Sequence, residues 1–335
     1  MVEREDVIIV GAGPCGLQTA IRLQEQGYRP LVIEKGNIVQ TIYRYPTHQT
    51  FFSSSDKLEI GDMPFVIEEH KPRRNQALSY YREVVKRKHI RIHSFEEVTQ
   101  VRNNSEGAYT VVTSDRDQLQ QRYEARYVVI ATGYYDHPNF MNIPGEELPK
   151  VYHYFKEPHP FFDSDVVVIG GKNSSVDTAM ELNKAGARVT VIYRGSEYSE
   201  SVKPWILPQF HSLVKNGYIN MIFDANVIEI KPHTVTYQTK AGEVVCLDND
   251  FVFAMTGYHP DHSFLQDMGI DIEDETGRPT FNGATMESNI SGIFIAGVIA
   301  AGNNANEIFI ENGRFHGNAI AKEIAKRDGK INDDR

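Results

Sequence analysis

The sequence predicts an α/β fold with buried parallel sheets, made twice from one unit. Three observations carry this. Residues 7–36, VIIVGAGPCGLQTAIRLQEQGYRPLVIEKG, and 166–195, VVVIGGKNSSVDTAMELNKAGARVTVIYRG, align without a gap at an offset of 159. Each copy opens on an apolar run, 7–10 or 166–169, of the kind covered on both faces in a parallel sheet. Each run enters a glycine-rich turn and then a stretch of helical period, where Ala20 and Leu23 match Ala179 and Leu182. Strand, turn, helix, strand is the front half of a Rossmann-like dinucleotide-binding domain, so two such domains are expected. The length of 335 residues also exceeds what one core of roughly 250–300 residues holds.

The remaining elements follow in order. Gly27 and Gly186 fall where a left-handed residue ends a helix, and second strands follow at 30–33 and 189–192. Residues 98–128 alternate, as at 109–113, and read as a small antiparallel excursion. YVVIATGYYDHP (127–138) and FVFAMTGYHPD (251–261) form a shorter repeat that reads as a pair of domain crossovers. Its recurring His137 and His259 precede proline, and turn geometry accounts for them. GIFIAGVIA (292–300) reads as another buried strand, followed by a helix over 307–325. The polar tail 326–335 is expected to fray.

The first turn is Gly11-Ala12-Gly13-Pro14-Cys15-Gly16, a complete G-x-G-x-x-G between strand and helix. Gly11 allows the tight turn, Gly13 lets backbone approach a pyrophosphate, and Gly16 lets helix pack on strand. The helix N-terminus offers N–H groups to phosphate. Glu34 ends the second strand, where a carboxylate accepts hydrogen bonds from ribose hydroxyls. Lys35 and Thr41 are candidates for adenine or phosphate edges.

The second turn is Gly170-Gly171-Lys172-Asn173-Ser174-Ser175. Gly170 and Gly171 keep it open, and Lys172, Asn173 and the two serines are candidates for phosphate. At the offset of Glu34 stands Tyr193, followed by Arg194. Arg pairs with a 2′-phosphate that a carboxylate would repel. The first site is therefore expected to hold a free ribose and the second NADPH.

Composition removes other classes. Lys+Arg is 35 against 45 Asp+Glu, a formal charge of −10 with no basic tract, which argues against a phosphate-backbone binder. No apolar run approaches the ~20 residues that span a bilayer, and the acidic start fits no signal peptide. A cytoplasmic protein is expected. Two cysteines, Cys15 and Cys246, exclude a disulfide scaffold, a multi-cysteine metal site and a Cys-x-x-Cys redox pair.

Two nucleotide units, an Ala-Thr-Gly strand end and a late Ala-Gly strand resemble the two-dinucleotide-binding-domain flavoproteins along essentially the whole chain. GAGPCG, THQTFFSS (47–54), GGKNSSVDTA (170–179), YRGSEYSESVKPWILP (193–208) and AGVIAAGNNANEIFIENGRFHG (296–317) together resemble the bacillithiol disulfide reductases, also called bacilliredoxin reductases. That resemblance implies FAD on the first unit and an NADPH domain inserted into the FAD domain. The boundaries are 1–140 and 257–325 for the FAD domain and 141–256 for the insert. It implies electron transfer to a low-molecular-weight thiol disulfide with Cys15 as the catalytic residue, and a bacilliredoxin system as partner. The resemblance places Ile308 and Phe309 near the flavin ring and makes Thr132, Gly133 and Gly297 further contacts of FAD. Relatives carry Gly-Asp where this chain has Gly297-Val298, so a backbone N–H or water must replace that aspartate.

Other residues have plainer expectations. His48 is a candidate for proton transfer near the flavin, while Tyr43 and Tyr45 read as packing. Cys246, in the apolar VVCL, reads as a buried inert thiol, and Asp177 as a charge in the first turn of its helix. The reading is an NADPH-dependent FAD disulfide reductase with a small-molecule substrate, no metal, no nucleic acid and no membrane; a homo-oligomer is compatible with it. A flavin monooxygenase, a ferredoxin–NADP reductase of thioredoxin-reductase type and a non-catalytic flavin sensor are the alternatives.

Overall fold

The computed structural model describes residues 3–104, 107–304 and 306–331. The chain divides into two compact units, one made of residues up to His137 and from Tyr258 on, the other of Pro138–Gly257.

The first unit begins with β1 (Glu3–Val10), β2 (Leu31–Glu34), β3 (Arg91–Ser94), β4 (Glu96–Asn103), β5 (Tyr109–Asp115) and β6 (Gln120–Ile130). The order β3-β2-β1-β6 is parallel, and Val10 pairs with Ile33 on one side and Ile130 on the other. Val7, Ile8 and Ile9 are fully buried, each side chain contributing about 1.5–3 kcal/mol. The expected excursion is present as β4 and β5, with β4 antiparallel to β5 and β5 antiparallel to the first half of β6.

The second unit holds β7 (Val151–Tyr152), β8 (Asp165–Ile169), β9 (Arg188–Ile192), β10 (Ile219–Ile222), β11 (Ala225–Lys231), β12 (Thr234–Thr239), β13 (Val244–Asp248) and β14 (Phe251–Ala254). The order β10-β9-β8-β14-β7 is parallel and repeats that of β3-β2-β1-β6 over its first four strands. Strands β11, β12 and β13 form a separate antiparallel sheet. Back in the first unit, β15 (Ile293–Ile295) runs parallel to the second half of β6.

Several expectations are corrected. The late strand stops at Ile295, because Gly297 takes φ +80 and turns the chain into a short 3-10 helix, Gly297–Ala301. The helix expected over 307–325 is two helices, Ile310–Gly313 and His316–Arg327. The tail does not fray from Lys326. Asp328 accepts hydrogen bonds from the Tyr28 hydroxyl at 2.8 Å and the Tyr127 hydroxyl at 2.9 Å, and pairs with Arg126. Residues 332–335 lie outside the described residues. Cys246 is exposed, because VVCL lies on β13, an outer strand of its small sheet whose residues alternate in exposure. Asp177 is not in a first turn, since its helix begins at Asn173, and burial followed by the nearby Glu181 pushes its carboxyl up to about 6. Among the described residues no helix is long and apolar enough to cross a membrane.

Candidate functional site

The first unit contains a cleft of about 1360 Å³, part of it open to solvent, at the ends of β1, β2 and β6. Its position follows from the turn. The Gly11 N–H donates to the Ile33 carbonyl and the Ala131 N–H to the Val10 carbonyl, each at 2.8 Å, so three strand ends meet there. Gly11 takes φ +107, and a Cβ on it would lie 2.5 Å from the Ala131 oxygen. A Cβ on Gly16 would lie 2.1 Å from the Gly11 oxygen, so the helix Pro14–Glu25 reaches its strand only without one.

Of the residues expected here, Gly11, Gly13, Pro14, Cys15, Glu34, Lys35, Thr41, Thr132, Gly133 and Gly297 line the cleft. Gly16 lies behind them as a packing glycine. His48 is exposed on its loop and is not in the wall. Ile308 packs on the core and Phe309 caps the short helix, while the next residue, Ile310, reaches the cleft.

The wall fits a dinucleotide. Gly13 caps the helix Pro14–Glu25 with no side-chain hydrogen bond, leaving its first N–H groups to an anion. A Cβ on Gly13 or on Gly133 would meet nothing within 4 Å, so both face open space. The Glu34 carboxylate accepts from the Ala12 N–H at 2.8 Å and the Gly36 N–H at 2.7 Å, and keeps lone pairs for a ribose. Burial raises its carboxyl above the ordinary range, and the two N–H donors act against that rise. Lys35 pairs with Asp136 at 2.9 Å, and Arg44 pairs with the same carboxylate.

Cys15 lies half-buried in this wall. Its Sγ would be 3.2 Å from a Cβ on Gly297 and 3.1 Å from one on Gly313, so the sulfur fills the space two glycines leave. Burial pushes the thiol up to about 12. The Gly297 N–H is taken by His316 Nδ1 at 3.1 Å. Burial holds that imidazole below its ordinary range, and the neutral ring can accept. Val298 is in the cleft wall, with no carboxylate at that position.

The second turn lies in the second unit. Gly170 repeats Gly11: a Cβ there would lie 2.5 Å from the Met255 oxygen, and its N–H donates to Ile192 at 3.0 Å. Lys172, Ser174 and Arg194 are exposed. Ser175 is buried and its hydroxyl donates to the Lys172 carbonyl at 2.7 Å, so it braces the turn from inside. Asn173 donates to the Ser201 carbonyl at 2.8 Å and accepts from the Lys203 N–H at 3.0 Å, holding 201–203 beside the helix start. The Tyr193 ring covers Gly171.

Sequence reasoning missed part of the first wall. Glu97, Val98, Tyr134, Tyr135, Asp136, Asp261, Phe264 and Ile310 line the cleft. So does Tyr45, read as packing, which meets Tyr135 edge-on at 5.6 Å. The Tyr-Tyr-Asp run after Gly133 was the available signal for the aromatic and acidic side of that wall. Nothing in the sequence pattern joins His316 to Gly297. Among the described residues no group of three His, Cys, Asp or Glu could hold a metal ion.

Residues 8–297 match the pyridine nucleotide-disulphide oxidoreductase family. The chain is 63% identical over 325 residues to bacilliredoxin reductase Bdr of Bacillus subtilis, covering 97% of this chain and 99% of that one. The structure of bacillithiol disulfide reductase Bdr from Bacillus cereus superposes with a TM-score of 0.96 at 66% identity, over 97% of this chain and 100% of the other. That of the Staphylococcus aureus protein of the same name gives 0.93 at 54% identity, over 97% and 99%.

Proposed function

The chain belongs to the pyridine nucleotide-disulphide oxidoreductase family, and from that premise we propose that it is a cytoplasmic, NADPH-dependent FAD enzyme that reduces bacillithiol disulfide, serving a bacilliredoxin system. The observation that carries this is the place of Cys15, in the wall of the same cleft that Glu34 and the open faces of Gly13 and Gly133 shape for a dinucleotide. FAD, when bound, supplies the two-electron relay from the nicotinamide to the disulfide. Glu34 holds the adenosine ribose, and the uncapped helix start at Gly13 faces the pyrophosphate. In the second unit Lys172, Ser174 and Arg194 take the phosphates of NADPH, with Asn173 fixing the segment beside them. Ser175 supports the turn without reaching the ligand.

Cys15 takes one half of the substrate. As the thiolate, its Sγ bonds to one sulfur of the disulfide, the S–S bond breaks and the departing sulfur takes up a proton. The two electrons that bound FAD would supply then break the mixed disulfide and release the second thiol from Cys15. The thiolate, not the thiol, attacks a disulfide, so the burial that pushes this thiol up to about 12 has to be relieved before the step. The sulfur must also come out from between Gly297 and Gly313 to meet a substrate.

The test is anaerobic. NADPH should bleach the flavin absorbance, and added bacillithiol disulfide should restore it. In Cys15→Ser the bleaching by NADPH should persist while turnover with the disulfide collapses. A serine variant with wild-type disulfide turnover would return Cys15 to a packing role. Colourless protein that takes up no flavin on reconstitution would sink the whole reading.

A further inference from the structure

In the first copy one side chain ties the turn to the end of the second strand. The Glu34 carboxylate reaches the Ala12 N–H at 2.8 Å and the Gly36 N–H at 2.7 Å. At the offset of 159 these three residues become Tyr193, Gly171 and Gly195. The same two backbone positions are again spanned by one side chain, now by packing. A Cβ on Gly171 would lie 2.4 Å from Tyr193 Cγ, and one on Gly195 would lie 2.5 Å from Tyr193 Cε1. The ring runs along both glycines, its base on the turn and its tip on the strand end. Neither glycine has a positive φ, so backbone conformation does not require glycine at either place. The ring does.

We infer that Tyr193 decides which dinucleotide the second site takes: it performs the bracing that Glu34 performs in the first copy while placing no carboxylate beside the adenosine ribose. A ribose 2′-hydroxyl finds no carboxylate of the Glu34 kind at position 193, and a 2′-phosphate meets none there beside Arg194. The inference rests on the proposed assignment of the second turn to NADPH. It adds that Arg194 alone is insufficient, because a carboxylate at the bracing position would cancel what the guanidinium offers. It also makes Gly171 and Gly195 parts of the tyrosine's seat.

The test reads binding by the oxidised dinucleotides, which need no turnover. NADP⁺ and NAD⁺ are titrated calorimetrically into FAD-loaded protein. Tyr193→Glu returns a carboxylate to reach of the N–H groups of 171 and 195. It should weaken NADP⁺ by about tenfold or more and leave NAD⁺ unchanged or tighter. Tyr193→Phe keeps the ring and should keep the wild-type ratio. Gly171→Ala drives the ring off its seat and should weaken both dinucleotides, yet in a Tyr193→Ala background it should add nothing further. An unchanged NADP⁺ to NAD⁺ ratio in Tyr193→Glu would overturn the inference. So would a Gly171→Ala cost as large without the ring as with it. Wild-type protein that binds neither dinucleotide would overturn instead the assignment of the second turn to NADPH.

Discussion

Gly16 and Ser175 hold the same place in the two copies and meet different surroundings. A Cβ on Gly16 would lie 2.1 Å from the Gly11 oxygen, whereas Ser175 has a Cβ, is buried, and spends its hydroxyl on the Lys172 carbonyl. The first glycines of the two turns do not differ in this way. A Cβ on either would lie 2.5 Å from a carbonyl oxygen, that of Ala131 for Gly11 and that of Met255 for Gly170, at matched points of the two crossover strands. The two units therefore share the step from strand to turn and part company at the step from turn to helix. In the first, the helix closes on its strand and leaves Gly13 facing open space. In the second, a serine stands between helix and turn, and the exposed Lys172 replaces the open glycine. One unit presents bare backbone N–H groups to an anion, the other a side-chain cation.

The largest expected contrast concerns the two cysteines, one in each unit. Cys15 has a thiol pushed up to about 12 by burial, so at pH 8 it stays protonated, while Cys246 is exposed on β13. Iodoacetamide at pH 8 should label Cys246 and leave Cys15 almost untouched, as peptide mass spectrometry would read. Equal labelling of the two would break the account of a sulfur enclosed between Gly297 and Gly313.

Next in size is the turn-to-helix contrast. Gly16→Ser forces helix and strand apart and should cost about 3 kcal/mol or more, the upper end for overpacking, with loss of bound flavin. Ser175→Gly removes a side chain that the second unit accommodates and should cost about 1 kcal/mol. Urea unfolding midpoints measure both. Similar costs would mean that helix–strand spacing is not what separates the copies.

What could be read beforehand follows the same division. The turns were legible because Gly11 and Gly16 are demanded by backbone contacts that recur wherever this unit forms. The strand–turn–helix–strand unit was legible from the repeat, whereas the order β3-β2-β1-β6 came only with the structure. Contacts that link distant segments without a repeating pattern were not legible. The bond from Gly297 to His316 joins a 3-10 turn to a separate helix, and the Tyr193 ring on Gly171 replaces a hydrogen bond with a packing contact. Cys246 was misread because VVCL has the same letters on an outer strand as in a core, and only the sheet order tells them apart.

The smallest effect concerns pH, and it too differs between the units. Burial holds His316 and His262 of the first unit, and His153 of the second, below the ordinary imidazole range. His259 beside His262 adds to that lowering, whereas Glu146, 3.9 Å from His153, opposes it. For a base depressed in the folded state, the unfolded chain takes up a proton first. Stability is therefore full above about pH 6.5 and falls as pH drops towards the lower native value. Each histidine can contribute a slope of at most about 1.4 kcal/mol per pH unit in that window. His316→Gln keeps an acceptor for the Gly297 N–H and removes the titration, so the urea midpoint should fall less steeply between pH 6.5 and 5. His153→Gln should flatten the same curve by less, because Glu146 already offsets part of the burial. If His316→Gln left the slope untouched, the neutral imidazole that accepts from Gly297 would not be the form the fold selects, and the anchor beside Cys15 would need another account.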